Sequence, residues 1–183
     1  ISQSTKSRTE MVTPEDLVKT ATERGSFAVA YTYNEPTIHA EYVIEASRLA
    51  REAGLKNVLV TAGYVNPEVG GDLLDVIDAA NVDLKGFQPS FYRTELGAQL
   101  EPVKEFIRIA AKRIHVEVTS LIIPGKNDAD EEVESMASFI ADQSENIPYH
   151  LSAYYPTYKY TRSATPPDEV MHLKSVAERH LTY

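Results

Sequence analysis

The sequence predicts an α/β fold in which helices cover a parallel β-sheet. From residue 13 onward, stretches with helical periodicity alternate with short runs rich in β-branched residues, and the pattern repeats about every 25 to 35 residues, the length of a βαβ unit. The predicted strands are short and mostly apolar along their whole length, as strands covered on both faces are. This pattern alone is compatible with a doubly wound open sheet and with a barrel-type sheet.

Prolines mark the starts of the predicted helices. Thr13, Asn66 and Thr165 each precede a proline, and such polar residues cap a helix that begins with proline. The predicted helices follow these three residues and also span 37–53, 101–110 and 128–143. The predicted strands lie between the helices, at 27–31, 57–61, 81–84, 115–123 and 150–154.

Composition excludes several classes of protein. The 183 residues include 18 Lys and Arg against 27 Asp and Glu, a net charge of -9, and the longest basic cluster is Lys112 with Arg113. Such a chain lacks the basic face that a nucleic-acid partner requires. It has neither a signal peptide nor an apolar run of about 18 residues, which predicts a cytoplasmic protein with no membrane partner. We expect one domain, residues 1–183.

Cysteine is absent, which excludes disulfides, thiol nucleophiles and thiolate metal sites within this chain. The five histidines show no spacing suited to a metal, so no metal site is predicted. The chain starts at Ile1 rather than at methionine and stops at Tyr183 within a helical pattern. We therefore expect it to be a fragment of a longer protein.

Polar residues follow the predicted strands, at the edge where parallel α/β folds bind their ligands. Asn34 and Glu35 could receive an ammonium group on their oxygen atoms, or they could cap the helix that follows. Asp83 and Lys85 stand two apart on a strand and face the same side, so they could engage one ligand or pair with each other. Gly86 permits close approach of the backbone.

Two later segments also have two interpretations each. Pro124 and Gly125 could offer backbone amides to an adenine or a phosphate, or they could form an ordinary turn. The tyrosine-rich residues 154–160 could line a planar ligand, or they could pack the loop in which they lie.

Four segments occur in a specific order along the chain: residues 31–37 (YTYNEPT), 60–64 (VTAGY), 81–87 (NVDLKGF) and 122–128 (IIPGKND). In this order they resemble the radical S-adenosylmethionine enzymes, and more narrowly the branch of the pyruvate formate-lyase activating enzymes and the group called AmmeMemoRadiSam. The resemblance implies a partial TIM-like (β/α)6 barrel of the radical S-adenosylmethionine type, here without its first strand.

The resemblance also implies two cofactors. Members of the family bind S-adenosylmethionine beside a 4Fe-4S cluster and cleave it by one-electron reduction to a 5'-deoxyadenosyl radical, which abstracts hydrogen. Tyr155 stands where relatives commonly have histidine, and Ala62 replaces their usual asparagine. The residues that match cofactor-binding segments are Asn34, Glu35, Thr61, Gly63, Asp83, Lys85, Ile123, Pro124, Gly125 and Tyr155.

Each matching segment has its own implied role. Asn34 and Glu35 match the segment that receives the methionine ammonium group. Asp83 and Lys85 match the pair at the ribose and methionyl end of the cofactor, and residues 123–125 match its adenine side.

The family's cluster-binding cysteines precede these segments, so we expect them ahead of Ile1 in the whole protein. Without them the chain holds no cluster, and we expect it to be inactive, with no catalytic residue of its own. The resemblance implies a protein or small-molecule substrate and an external electron donor such as flavodoxin or ferredoxin. The edge of the strand at 27–31 could pair with a second copy of the fragment.

Two other functions are compatible with the same residues. One is a Schiff-base aldolase, with Lys85 as the nucleophile and Asp83 or Glu35 in proton transfer. The other is a non-catalytic α/β scaffold in which Asp83 and Lys85 only pair.

Overall fold

The computed structural model describes residues 11–157 and 160–183. Five parallel strands form one sheet in the order in which they occur along the chain. The five predicted strands are confirmed, with boundaries that differ by no more than two residues. The strands are β1 (Ala28–Tyr31), β2 (Lys56–Thr61), β3 (Ala79–Asp83), β4 (His115–Ile122) and β5 (Tyr149–Ala153).

The strand order decides between the two predicted types of sheet. A doubly wound sheet reverses its strand order once, which places helices on both faces. Here the order runs from β1 to β5 without reversal, and right-handed connections then put the helices on the same face, as in a barrel. The barrel-type prediction is confirmed, with β1 and β5 as the two edges of the described sheet.

Seven helices occur in the described part of the chain. Thr13 and Asn66 cap their helices as predicted, since their side chains accept hydrogen bonds from the amides of Asp16 at 3.2 Å and Glu68 at 3.0 Å. None of the described helices combines the length and the apolar character needed to cross a membrane. The helices are α1 (Pro14–Glu23), α2 (Ala40–Glu52, after a 3-10 turn at Pro36–His39), α3 (Pro67–Leu74), α4 (Pro89–Phe91), α5 (Leu100–Ala110), α6 (Asp130–Ala141) and α7 (Pro167–Ala177).

The structure differs from the sequence-based expectations about the helices at three places. Thr165 does not cap α7, which follows Pro166; its buried hydroxyl instead donates to the carbonyl of Ile122 at 2.6 Å. The helix expected from residue 128 begins two residues later because the preceding loop is fixed by its own side chains. Residues 89–96 form α4 and a wide π-type turn that were not predicted, since only adjacent aromatic residues, rather than a periodic stripe, become buried there.

The two faces of the sheet differ in their residues. The covered face packs against the helices, and its members include Leu59, Val82, Val118 and Ile122, all fully buried. The open face carries the alternate residues of the same strands, which are half-buried or exposed. Its members include Val60, Asn81, Asp83, Glu117, Thr119, Leu121 and His150.

Candidate cofactor-binding site

The carboxyl ends of the strands meet along one edge of the sheet. Thr61 pairs with Val82 and Asp83 with Thr119, and neighbouring strands lie about 4.8 Å apart. The ten residues predicted to bind a cofactor all lie at or just beyond the carboxyl end of a strand. The fold therefore gathers them at one edge, which is where singly wound sheets bind ligands.

Glu35 joins the ends of β1 and β2. Its Oε1 accepts hydrogen bonds from the Thr61 hydroxyl at 2.6 Å and the Thr37 hydroxyl at 2.9 Å, and its Oε2 accepts one from the Ala62 amide at 2.8 Å. Glu35 also caps the 3-10 turn, so the capping interpretation holds for Glu35 and not for Asn34. Oε2 has a single partner among the described residues, which leaves it acceptor capacity for an ammonium group.

The turn after β1 is strained. Tyr33 and Asn34 are consecutive non-glycine residues in the left-handed region, with φ of 58° and 53°. Each such residue costs about 1 kcal/mol or more, a strain that tends to cluster at binding sites. Both side chains are exposed, and the turn delivers the Glu35 carboxylate to the end of β2.

Thr61 and Gly63 form the end of β2. The Thr61 hydroxyl donates to Glu35 and accepts from the Gly63 amide at 3.0 Å. Gly63 has a φ of 65°, and a Cβ there would lie 2.9 Å from Val82 Cγ1 and 3.2 Å from Phe106 Cδ1. The underlying core alone thus explains why a glycine occupies this position.

Asp83 and Lys85 form an ion pair on the open face. Lys85 Nζ lies 2.8 Å from Asp83 Oδ2, so the pairing interpretation describes the structure. The side chains are 39% exposed for Asp83 and 27% for Lys85, so both can be reached from solvent. A partly exposed pair of this kind contributes little to stability and is free to exchange its partners for a ligand.

Three side chains that sequence analysis missed bind the backbone after β3. The Tyr92 hydroxyl accepts from the Lys85 amide at 3.2 Å, and Asn127 Nδ2 donates to the Lys85 carbonyl at 2.9 Å. The Glu132 carboxylate accepts from the amides of residues 87 and 88. Burial raises the pKa of Tyr92 to about 12, so its phenol stays neutral. One signal in the sequence could have identified Glu132. It lies four and eight residues before the apolar positions 136 and 140, so the helical spacing places this acid on the buried face of α6.

The loop after β4 uses its own amides. The Ile123 amide donates to Asn127 Oδ1 at 2.7 Å, and the Gly125 amide donates to Asp128 Oδ2 at 2.8 Å. Gly125 has a φ of 68°, so the loop is a turn, as one interpretation predicted. These two amides already donate to side chains of the loop and are not available to a ligand. A ligand beside Pro124 would therefore pack against the surface of the loop.

The tyrosine-rich segment divides into two parts. Tyr154 is buried, its hydroxyl donates to the carbonyl of Tyr160 at 2.6 Å, and the two rings pack edge to face at 5.6 Å. Tyr155 is 74% exposed at the carboxyl edge. Loop packing thus accounts for Tyr154 and Tyr160, whereas Tyr155 is accessible to a ligand and Tyr158 lies outside the described residues.

A second polar cluster lies lower on the open face. Glu117 is 2.7 Å from His150 Nε2 and 3.3 Å from His115 Nε2. These two contacts hold the pKa of the Glu117 carboxyl below its ordinary value, with His150 the larger cause. In residues 11–157 and 160–183, no three histidine, aspartate or glutamate side chains are arranged to hold a metal ion.

Comparison with known proteins defines the family to which this chain belongs. The model of the Radical SAM superfamily matches residues 2–140, and the chain belongs to that superfamily. It is 37% identical over 164 residues to an uncharacterised protein of Methanocaldococcus jannaschii, covering 88% of this chain and 48% of that protein. It is 28% identical over 153 residues to the pyruvate formate-lyase 1-activating enzyme of Escherichia coli, covering 76% of this chain and 62% of that enzyme. The chain therefore spans about half to three-fifths of the length of these two relatives.

Solved structures confirm the predicted fold. A domain of the pyruvate formate-lyase-activating enzyme from Bacteroides vulgatus matches with a TM-score of 0.67 and 16% identity, covering 84% of this chain and 94% of that one. Streptococcus suis SuiB bound to S-adenosylmethionine matches with a TM-score of 0.72 and 13% identity, covering 95% of this chain and 42% of that one. The five-stranded sheet and its helices thus form a radical S-adenosylmethionine partial barrel.

Proposed function

We propose that this chain is the S-adenosylmethionine-binding part of a radical enzyme of the activating type, one that cleaves this cofactor reductively in order to abstract hydrogen. The observation that carries the proposal is the placement of Glu35, Asp83 and Lys85 at one edge of a singly wound sheet in a chain of this superfamily. Support comes from relatives named as activating enzymes for pyruvate formate-lyase, (2S)-3-sulfopropanediol dehydratase and isethionate sulfite-lyase.

The side chains at this edge fit S-adenosylmethionine chemically. Glu35 keeps acceptor capacity for the methionine ammonium group, and Asp83 supplies acceptors for ribose hydroxyls. Lys85 supplies a cation for the methionine carboxylate, and we propose loop 123–125 as the contact for the adenine. When bound, this cofactor supplies a 5'-deoxyadenosyl radical on one-electron reduction. The residues named here bind and orient it, and exposed Tyr155 borders the same edge.

An iron–sulfur cluster does not fit this chain. Such clusters are held by cysteine thiolates, and the 183 residues contain no cysteine. We propose that the ligands lie ahead of Ile1 in the whole protein, so that this chain by itself binds the cofactor weakly and performs no cleavage.

The partners proposed for the whole protein follow from the same chemistry. An abstraction enzyme needs a protein or small-molecule hydrogen donor as its substrate and a one-electron donor such as flavodoxin or ferredoxin. We propose a cytoplasmic setting for this exchange.

Self-association is a separate proposal for the chain by itself. It would pair with a second copy through β1, whose outer edge has no strand partner among the described residues. Sedimentation at high concentration tests this pairing, and a strictly monomeric profile would contradict it.

The direct test uses the whole native polypeptide after anaerobic reconstitution with iron and sulfide. We expect 5'-deoxyadenosine to form from S-adenosylmethionine and dithionite with that protein, and not with the 183-residue chain. Asp83→Ala and Lys85→Met should each lower its formation, whereas Lys112→Met, on an exposed lysine outside the site, should not. A reconstituted native protein that forms no 5'-deoxyadenosine would contradict the proposal.

Two further experiments separate the alternative functions. A Schiff-base lysine must be neutral to attack a carbonyl, whereas Lys85 is held as an ion pair by Asp83. Borohydride trapping of a carbonyl compound on Lys85 would favour the aldolase. Replacement of both residues by apolar ones with little loss of stability, and with no loss of any ligand binding, would favour the scaffold.

A further inference from the structure

The backbone just beyond β3 is held by side chains that come from outside the strand. The Lys85 amide donates to the Tyr92 hydroxyl at 3.2 Å, and the Lys85 carbonyl accepts from Asn127 Nδ2 at 2.9 Å. Glu132 Oε1 accepts from both amides of residues 87 and 88, the second at 3.1 Å. Both polar groups of the Lys85 backbone are thus fixed, and its side chain leaves the sheet from a fixed point.

The side chains that do this are buried. Asn127 is 0% exposed, Tyr92 2% and Glu132 5%. A buried carboxylate is costly to desolvate, and no Lys, Arg or His side chain pairs with Glu132 in the described part of the chain. Its described hydrogen-bond donors are the two backbone amides after Gly86. Replacement of Glu132 by an apolar residue would leave these two amides without their described acceptor, so the carboxylate fixes the backbone after Gly86.

Asn127 links two segments of the proposed site. In addition to the Lys85 carbonyl, its Nδ2 donates to the Leu121 carbonyl at 2.9 Å, and its Oδ1 accepts from the Ile123 amide at 2.7 Å. One buried amide therefore fixes the segment that carries Lys85 against the loop that begins at Ile123. The packing around Gly86 is tight, because a Cβ on this residue would lie 2.9 Å from Phe91 Cδ1 and 3.2 Å from Glu132 Oε1.

We propose that Asn127 and Glu132 are positioning residues for cofactor binding, an inference that rests on the proposed function. They hold the Lys85 side chain at a fixed distance from loop 123–125, so that both ends of one extended ligand can be contacted at the same time. Both act through the backbone that they bind. Both residues are buried, and Asn127 Nδ2 and Glu132 Oε1 are already bonded to this backbone, so we assign neither residue a contact with the ligand.

The test measures the Kd of S-adenosylmethionine for the reconstituted native protein by equilibrium dialysis, without turnover. Glu132→Leu, which removes the acceptor and keeps an apolar side chain, should weaken binding about tenfold. Glu132→Gln keeps an acceptor oxygen and should stay within about threefold of the parent. Glu131→Leu, at the exposed neighbouring position of α6, is the matched control and should not change the Kd.

A double-variant cycle separates positioning from general destabilisation. If Glu132 acts through the Lys85 segment, then Glu132→Leu should weaken binding by less than about threefold when Lys85→Met is already present. Hydrogen exchange of the amides of residues 87 and 88 in the native protein should accelerate in Glu132→Leu and stay slow in Glu132→Gln.

Each outcome decides the matter. Faster exchange at residues 87 and 88 with an unchanged Kd would overturn the positioning role and leave the proposed function standing. A parent protein that does not bind S-adenosylmethionine would overturn both. Should Glu132→Leu unfold below the assay temperature, Asn127→Ser replaces it with the same expected loss of affinity, and an unchanged Kd would again overturn the inference.

Discussion

The covered and open faces of the sheet are formed by the same strands but have different roles. On β4, Ile122 is fully buried against the helices, while its neighbour Leu121 points to the open face and is 43% exposed. The covered face is mostly apolar and holds the fold together, whereas the open face carries paired polar groups that contribute little to stability. Ligand chemistry can therefore vary on the open face without loss of the fold.

The largest expected difference comes from the two neighbours on β4. Ile122→Ala should lower the free energy of unfolding by about 3 kcal/mol, because it leaves a cavity under the helices. Leu121→Ala, the matched change on the open face, should lower it by less than about 1 kcal/mol. Urea unfolding of both variants measures the two values. Equal losses would mean that the open face is also packed.

Gly63 lies at the carboxyl edge and packs directly against the covered face, so its substitution should affect stability. Gly63→Ala should lower the free energy of unfolding by about 2 kcal/mol, since its φ is positive and the new Cβ would overlap Val82. Gly71→Ala is the control, because it lies within α3 with open space at its Cβ, and it should raise stability by about 0.5 kcal/mol. Thermal unfolding of the two variants tests the expected loss of stability in Gly63→Ala and the expected gain in Gly71→Ala.

The open face should show its own dependence on pH. The histidine contacts lower the pKa of Glu117 in the folded state, so its contribution to stability is present above the ordinary carboxyl pKa and is lost as pH falls through the lowered value. Glu117→Gln should remove this acid-side loss, which is under about 1 kcal/mol for a carboxyl that is 36% exposed. Urea unfolding between about pH 3 and 7 measures it. The same slope in parent and variant would contradict the assignment.

The smallest effect on stability should come from the ion pair. Asp83→Ala and Lys85→Met should each change the free energy of unfolding by less than about 0.5 kcal/mol, because the pair is partly exposed. Under the proposed function, the same variants should weaken S-adenosylmethionine binding by the native protein. A large loss of stability from either one would contradict the small contribution expected of the pair.

The sequence was enough to predict the strands and the residues at their ends, because helix starts and strand runs are local patterns and chain order places strand ends together. It was not enough to predict the bonds between distant residues. Glu35 contacts Thr61 26 positions away, and Glu132 contacts Phe87 45 positions away. Such pairs form only when the elements pack together, so they cannot be predicted from the spacing of residues along the chain.

The hydrogen bonds between Tyr154 and Thr165 have a consequence for how the carboxyl edge can diversify. The Tyr154 amide donates to Thr165 Oγ1 at 3.0 Å, and the Thr165 amide donates to the Tyr154 carbonyl at 2.9 Å, so the base of segment 155–164 is closed. Doubling the length of a loop with fixed ends costs only about 0.6 kcal/mol. The segment can therefore be lengthened at small cost, so that the surface at this edge can change while the barrel stays the same.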